Sequence, residues 1–204
     1  MSDRVRYGYY LRPSAEMCEA QVRVHRLLEH QYGLKVAGKF MPHCTIKGFF
    51  KSGRSETDIC NAAASISYGI APFPVFNNGL GSGKLATTLS IMFEPDGSRN
   101  GALQTLHQRA IDVLLPLVSE DCNFTADEDI SDRFHAHLTL AMADIPVSIR
   151  QEVVEFCQEL EPVGPRSFKA ERLHLYAFES PDWDGEWWRD FRWRLIESWR
   201  LVAQ

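Results

Sequence analysis

The sequence predicts one α+β domain, covering residues 1–204, in which a strand–helix–strand–helix–strand unit occurs twice and forms two lobes. Two observations support this duplication. A His-x-Thr-apolar pattern occurs at residues 43–46 and again at residues 137–140. Each copy has an extended segment and a helical segment before it, and a helix and an extended segment after it. The repeats span approximately residues 5–80 and 85–201, and we expect a pseudo-twofold axis to relate them.

The elements of both repeats follow from apolar spacing and from turn-forming residues. In the first repeat an apolar run ends at Pro13 and a helical pattern begins at Ser14. In the second, a turn at Asp96 and Gly97 separates the strand from the helix. The predicted strands are 7–12, 73–77, 88–94 and 172–178 together with the two motif strands, and the predicted helices are 14–32, 57–68, 102–117 and 147–160.

Two further segments have more than one interpretation. The glycine-rich segment 78–84 is similar to a phosphate-binding loop, but it lacks the required spacing and therefore predicts a hairpin loop that joins the repeats. Near the carboxyl end, Phe191, Trp193 and Leu195 alternate as in a strand. A helix that includes Trp188 and Trp199 fits nearly as well, so periodicity alone leaves both possibilities open.

The repeated motif places the same two side chains on one face of each strand. Residues two apart on a strand point the same way, so His43 and Thr45 share a face, as do His137 and Thr139. Two such strands side by side would line a groove with two imidazoles and two hydroxyls, which suits acid–base chemistry on a phosphate ester without a metal. The same parity predicts that Lys47 lies on the same face as His43 and Thr45, where it either neutralises developing charge or only raises the potential at the rim.

Composition limits the functions that this chain can have. The net charge is −5, and acidic residues cluster between positions 120 and 132, so we expect a nucleotide or short oligonucleotide as ligand and no long duplex nucleic acid. The chain begins without a signal-peptide core, and no apolar run approaches membrane-spanning length. Five scattered cysteines without a C-x-x-C pair predict reduced thiols in a cytoplasmic protein.

The two motifs, about ninety residues apart, resemble those of the 2H phosphoesterase superfamily, which includes 2′,5′ RNA ligase-like proteins and cyclic nucleotide phosphodiesterases. Phe40 and Phe134 supply the aromatic lead-in that such motifs often have, although Ala136 stands where a proline is common. The resemblance covers nearly the whole chain. It implies two antiparallel sheets that face a central groove, and a strand near Trp199 that closes the fold.

The resemblance also implies an activity and a set of site residues. We expect a metal-independent phosphodiesterase that hydrolyses cyclic or 2′-linked nucleotides, such as a 2′,3′-cyclic phosphate, a 2′,5′-oligoadenylate or a cyclic oligonucleotide. The catalytic residues would be the two His-Thr pairs. The predicted substrate-binding residues are Lys47, Phe49 and Tyr176. We expect a monomer that needs no cofactor.

Three alternatives stay open at this point. The chain could ligate RNA through 2′,5′ linkages, process RNA 3′ ends, or bind nucleotides without turnover. Intact histidines and threonines in both motifs disfavour the last of these. The His135–His137 pair could hold a metal ion, but no third ligand stands at convincing spacing, so no metal site is predicted.

Overall fold

The computed structural model describes residues 4–82, 86–122 and 134–203. These residues form helices and strands in an order close to the predicted one. The helices are α1 (Ala15–Tyr32), α2 (Glu56–Ser67), α3 (Gly101–Leu114) and α4 (Arg150–Glu159). The strands are β1 (Val5–Arg12), β2 (Cys44–Phe50), β3 (Phe73–Phe76), β4 (Leu80–Ser82), β5 (Ala86–Ser90), β6 (His137–Met142), β7 (Ser167–Ala170), β8 (Arg172–Glu179) and β9 (Arg192–Arg200).

Nearly all of the strands join one antiparallel sheet of seven strands in the order β4-β5-β6-β2-β1-β8-β9, while β3 and β7 form a second sheet. The large sheet has two sections that meet where β2 lies beside β6. Cys44 and Leu138 are the one residue pair in register there. Because each of these residues directly follows a motif histidine, the junction brings the two motifs together.

Local sequence signals explain where the helices begin and end. Three helices are preceded by a residue whose side chain accepts a hydrogen bond from a backbone amide of the first turn. These residues are Ser14 before α1, Ser55 before α2 and Asn100 before α3. Gly33 ends α1 with a φ of 72°, a left-handed conformation that glycine adopts without strain. The predicted helix at 102–117 ends early as an α-helix because Pro116 falls in a short 3₁₀ turn, Leu115–Leu117.

The core has two parts on opposite faces of the large sheet. The larger part holds the apolar faces of the helices against residues such as Tyr9, Leu11 and Ile46. The smaller part is largely aromatic and lies on the other face. It is formed by Tyr10, Met41, Phe49, Tyr176, Phe178, Trp183 and Phe191.

The predicted α+β class with two antiparallel sheets is confirmed. Each sheet takes strands from both halves of the sequence, since β8 and β9 extend the section that contains β1, and β3 pairs with β7. The carboxyl-terminal tryptophans lie on and before a strand rather than on a helix. Part of the segment 78–84, which the sequence predicts to be a hairpin loop, is strand β4, and β4 pairs with β5. Residues 83–85, and 123–133 with most of the acidic cluster, lie outside the described residues. The pseudo-twofold relation and the repeat boundaries stay predictions.

Candidate active site

His43 and Thr45 stand at the start of β2. His43 comes immediately before the strand, and its Nδ1–H donates a hydrogen bond to the backbone carbonyl of Met41, at 2.7 Å. Thr45 lies opposite Tyr10 of β1. The Tyr10 ring meets the His43 ring edge-on, with their centroids 4.7 Å apart. The position and the orientation of this imidazole are therefore both fixed by its neighbours.

His137 and Thr139 repeat the arrangement at the start of β6. His137 Nδ1–H donates to the backbone carbonyl of His135, at 2.8 Å, which is again the residue two positions earlier. Thr139 pairs with Thr88 of β5. The two motifs thus match in the hydrogen bond that orients each ring as well as in sequence.

These hydrogen bonds also decide the tautomers. A carbonyl oxygen only accepts, so the neutral rings of His43 and His137 carry their proton on Nδ1. Nε2 of each ring then has a lone pair that can accept a proton, or donate one when the ring is charged. The four motif side chains all line one cavity of about 500 Å³.

Aromatic residues enclose the part of the cavity that adjoins His43. Phe40 lies 5.8 Å from the His43 ring and Trp187 lies 6.1 Å from Phe40, measured between ring centroids. Phe49 meets Trp187 edge-on at 5.2 Å. This wall offers flat apolar surfaces against which a base could stack.

The two motif imidazoles favour the neutral form. The pKa of His43 is lowered to about 4, mainly by burial and in smaller part by the nearby His137 and His25, while the bond to the Met41 carbonyl opposes the shift. Burial likewise lowers the pKa of His137. The hydrogen bond to the His135 carbonyl opposes this shift, while the charge of the His135 side chain adds to it. An anionic ligand in the cavity would stabilise the charged form of either ring.

The threonine hydroxyls complete the polar lining. Neither the Thr45 nor the Thr139 hydroxyl has a hydrogen-bond partner within the described part of the chain. Both can therefore donate to an oxygen of a ligand. Two free Nε2 atoms and two free hydroxyls around one cavity form a site that can move protons to and from a bound phosphate and hold its oxygens.

Lys47 does not lie where strand parity predicted it. The register between β1 and β2 shifts twice, so that Thr45 pairs with Tyr10 but Lys47 pairs with Tyr9, which faces the larger core. Lys47 is fully buried, and its Nζ lies 5.8 Å from the centre of the Phe50 ring. It is not among the residues that line the cavity. An irregular register reverses the face of the sheet on which a side chain lies, and the strand sequence does not indicate where such a shift occurs.

The two other predicted substrate-binding residues have different positions. Phe49 lines the cavity as part of the aromatic wall. Tyr176 lies behind that wall: it is nearly buried, its ring is 6.0 Å from that of Tyr10, and its hydroxyl lies 3.0 Å from Nδ1 of His174. Tyr176 therefore supports Tyr10, which in turn contacts His43.

Sequence reasoning missed two residues of α1 that hold the second motif. Nε2 of Gln21 and Nε2 of His25 both lie 2.9 Å from the backbone carbonyl of Thr139. Gln21 is almost completely buried and lines the cavity, and its Oε1 has no hydrogen-bond partner in the described residues. We call this contact the α1–β6 clamp. Helical periodicity could not reveal it, because a polar residue on a helix becomes buried only through tertiary contacts.

His107 of α3 stabilises the irregular part of β2. Its Nδ1–H donates to the backbone carbonyl of Ile46, at 2.7 Å, and Ile46 is skipped where the register shifts between Tyr9 and Tyr10. The imidazole also stacks on Phe134 with a centroid distance of 4.0 Å and an interplanar angle of 4°. This buried histidine of α3 therefore stabilises the neighbouring strand β2.

The residues that the structure describes include no cluster of three or more histidine, cysteine or acidic side chains that could hold a metal ion. His135 is exposed at the cavity rim, next to His137, with their ring centroids 6.0 Å apart. In the same described ranges, no helix is long and apolar enough to cross a membrane.

Two His-Thr pairs that line one cavity, on neighbouring strands of an α+β fold, define a 2H phosphoesterase-like protein, as the sequence predicted. The family model of the 2′-5′ RNA ligase superfamily matches residues 14–182, and the chain belongs to this superfamily. No curated protein matches the sequence.

Solved structures share the fold over almost the full length. Escherichia coli LigT in complex with 3′-AMP aligns with a TM-score of 0.55 at 16% identity, covering 98% of this chain and 99% of LigT. LigT in complex with NADP⁺ aligns with a TM-score of 0.55 at 19% identity over the same shares. TT0787 of Thermus thermophilus aligns with a TM-score of 0.61 at 17% identity, covering 96% of this chain and 97% of TT0787.

Proposed function

We propose that this protein is a metal-independent phosphodiesterase that hydrolyses a cyclic or 2′-linked phosphodiester of a nucleotide or short oligonucleotide. The observation that carries the proposal is the matched pair of imidazoles. His43 and His137 line one cavity; in both, Nδ1–H is bound to a backbone carbonyl, and Nε2 has no hydrogen-bond partner among the described residues. Hydrolysis of a phosphodiester needs one group that removes a proton and one that supplies it.

The proposed reaction uses the four motif side chains together. One imidazole takes a proton from water as the water oxygen bonds to phosphorus. The other, protonated, gives a proton to the oxygen that leaves. The hydroxyls of Thr45 and Thr139 donate to the two non-bridging oxygens as their negative charge grows. For a 2′,3′-cyclic nucleotide we expect the bond to the 3′ oxygen to break and the product to carry a 2′-phosphate.

The ligands of the structural neighbours agree with a small nucleotide substrate. LigT has been crystallised with 3′-AMP, with NADP⁺ and with ATP. The cavity volume of about 500 Å³ and the aromatic wall beside His43 suit one nucleotide. A short oligonucleotide can bind in the same way if its remaining nucleotides lie outside the cavity.

The test is a hydrolysis screen over 2′,3′-cyclic mononucleotides, 2′,5′-oligoadenylates and cyclic dinucleotides, carried out with and without EDTA. We expect turnover of at least one class, unchanged by EDTA because imidazoles supply both proton transfers. His43→Ala and His137→Ala should each lower kcat by roughly 10²–10⁴. The matched control is His30→Ala, which changes an exposed histidine of α1 and should leave kcat unchanged.

Circular dichroism of the variants separates loss of chemistry from loss of fold. Near-wild-type turnover by either motif variant would contradict paired-histidine catalysis. Loss of activity in EDTA, restored by zinc or manganese, would show a metal-dependent reaction instead. A phosphorus NMR spectrum that shows a 3′-phosphate product would mean that the substrate binds in the reverse orientation.

A further inference from the structure

Three arginines lie side by side on three adjacent strands of the large sheet. Arg12 of β1 pairs in register with Arg172 of β8, and Arg172 pairs in register with Arg200 of β9. We call this set the arginine row. Arg12 and Arg200 are exposed and Arg172 is partly exposed. Since neighbouring strands are about 4.8 Å apart, the row extends about 10 Å across the sheet.

The arginine row has no internal electrostatic compensation. Within residues 4–82, 86–122 and 134–203, none of the three guanidinium groups forms an ion pair or a hydrogen bond with another side chain. Burial raises the pKa of the Cys18 thiol, and nearby Arg12 lowers it while Glu19 of α1 raises it. Glu19 nevertheless makes no ion pair with the row in the described ranges. Like charges directly opposite one another destabilise a sheet, so packing gives no reason for this arrangement. A bound anion would offset its cost.

The row lies on the face of the sheet that carries the proposed active site. Arg12 is two residues from Tyr10, and residues two apart on a strand share a face. Tyr10 lines the cavity and contacts His43. His174 lies opposite Tyr10, two register positions from the row. Burial lowers its pKa, and Arg12 and Arg172 lower it further, which agrees with their lying on the same side.

From this placement we infer that the arginine row binds phosphates of a single-stranded oligonucleotide beyond the phosphate that reacts. The inference rests on the proposed function, because it assigns the reacting phosphate to the cavity. Tyr10 and Arg12 are about 7 Å apart along β1, so the row begins one side-chain position beyond the cavity wall. Arginine suits this role because its planar guanidinium binds phosphate oxygens through two hydrogen bonds at once. The basic row is local, since the chain as a whole is acidic.

Binding equilibria test the inference without requiring turnover. The probe is a fluorescein-labelled single-stranded RNA of about six nucleotides, measured by anisotropy against protein that carries the His43→Ala and His137→Ala changes. Nucleoside 2′-monophosphate and ATP serve as unlabelled competitors. Arg172→Gln and Arg200→Gln should each weaken RNA binding about tenfold and change the affinity for the monophosphate less than twofold. Each should also reduce the slope of log K against log salt by about 0.7.

Arg192→Gln is the matched control, because it removes one arginine charge from β9, the strand that carries Arg200. Arg192 lies opposite Glu179, on the other face of the sheet from the arginine row. The Arg192→Gln variant should therefore bind RNA as tightly as the parent protein. Equal losses in Arg172→Gln and Arg192→Gln would overturn the inference, since only net charge would then matter. Equal losses of RNA and ATP affinity would assign the row to nucleotide polyphosphates and overturn the oligonucleotide. Because hydrolysis of mononucleotides is measured separately, either failure leaves the proposed function standing.

Discussion

The environment of each motif histidine determines how the site responds to pH. His43 is enclosed by Tyr10 and Phe40, and its pKa is lowered to about 4 because burial disfavours the imidazolium. His137 has its pKa lowered by the same cause. The productive form of the free protein carries one charged and one neutral ring, and its population is greatest between the two pKa values.

The pH dependence of kcat/KM should therefore be a bell whose maximum lies below pH 6.5, the ordinary pKa of histidine. Protonation of both rings causes the acid limb, and loss of the proton from the second ring causes the other. The bell for kcat should lie at higher pH, because a bound phosphodiester anion stabilises the imidazolium. Initial rates from about pH 4 to 9 give both profiles.

Phe40→Leu is the companion variant, since it makes His43 more accessible to water without changing a motif residue. Its kcat/KM profile should move toward the ordinary histidine pKa, because a more hydrated ring accepts a proton more readily. A wild-type kcat/KM maximum above pH 7, or a kcat/KM profile without two limbs when chemistry limits the rate, would be inconsistent with these pKa shifts.

Strand alternation was enough to predict the four motif side chains but not their neighbours. His43 with Thr45, and His137 with Thr139, line one cavity because regular strand geometry holds at the start of β2 and β6. Lys47 lies only two residues further, beyond the first register shift, and faces the core. At the shift, the Ile46 carbonyl accepts a hydrogen bond from His107 of a distant helix, a contact for which the local sequence carries no signal.

At the level of elements, the α1–β6 clamp connects a helix of the first half to the motif strand of the second. Gln21 and His25 donate to the same carbonyl, that of Thr139, so the second motif is held by the helix as well as by its own sheet. We assign Gln21 as a positioning residue, since it acts on the motif through the Thr139 backbone. Its Nε2 makes the contact, and without it His25 would be the remaining side-chain donor to this carbonyl in the described residues.

Gln21→Met tests the clamp, because methionine has a similar length and no donor. We expect the free energy of unfolding to fall by about 1 kcal/mol, since the carbonyl keeps its bond from His25. We expect kcat to fall about tenfold with little change in KM, because a small displacement of Thr139 and His137 affects the transition state most. Denaturant unfolding and steady-state kinetics measure these effects.

Gln31→Met makes the same change at an exposed position of α1 and should alter neither quantity. If Gln21→Met lost stability but kept its kcat, the clamp would be structural only. The contact between Gln21 and the Thr139 carbonyl could not be predicted from the sequence, because the two residues lie far apart in the chain. The arginine row is similar, since it depends on the register of three strands that are distant in sequence.

For the whole molecule, the main question is how two sections of sheet become one cooperative unit. β2 and β6 share a single residue pair in register, Cys44 with Leu138, so backbone pairing between the sections is slight. Side chains add to it through the larger core, which contains residues of both sections. The cavity lies at this junction, and each section contributes one histidine and one threonine to it. A ligand in the cavity would therefore contact both sections.

This geometry predicts that a ligand stabilises the entire fold in one step. A nucleoside 2′-monophosphate at 100 times its Kd should raise the free energy of unfolding by about 2.7 kcal/mol. For a chain of this length that corresponds to a rise in Tm of about 5–10 °C, with one transition both with and without ligand. Calorimetry measures the shift and the number of transitions together.

Thr45→Val and Thr139→Val supply the comparison, because each removes one hydroxyl, in a different section, and keeps the shape of the side chain. At the ligand concentration that is set from the wild-type Kd, each variant should show a smaller Tm rise, since a weaker ligand stabilises less. Without ligand, both should unfold in a single transition, because the hydroxyls have no partner in the described part of the protein. Two separate transitions, with the ligand raising only one of them, would mean that the sections fold independently and would contradict the prediction of a single domain.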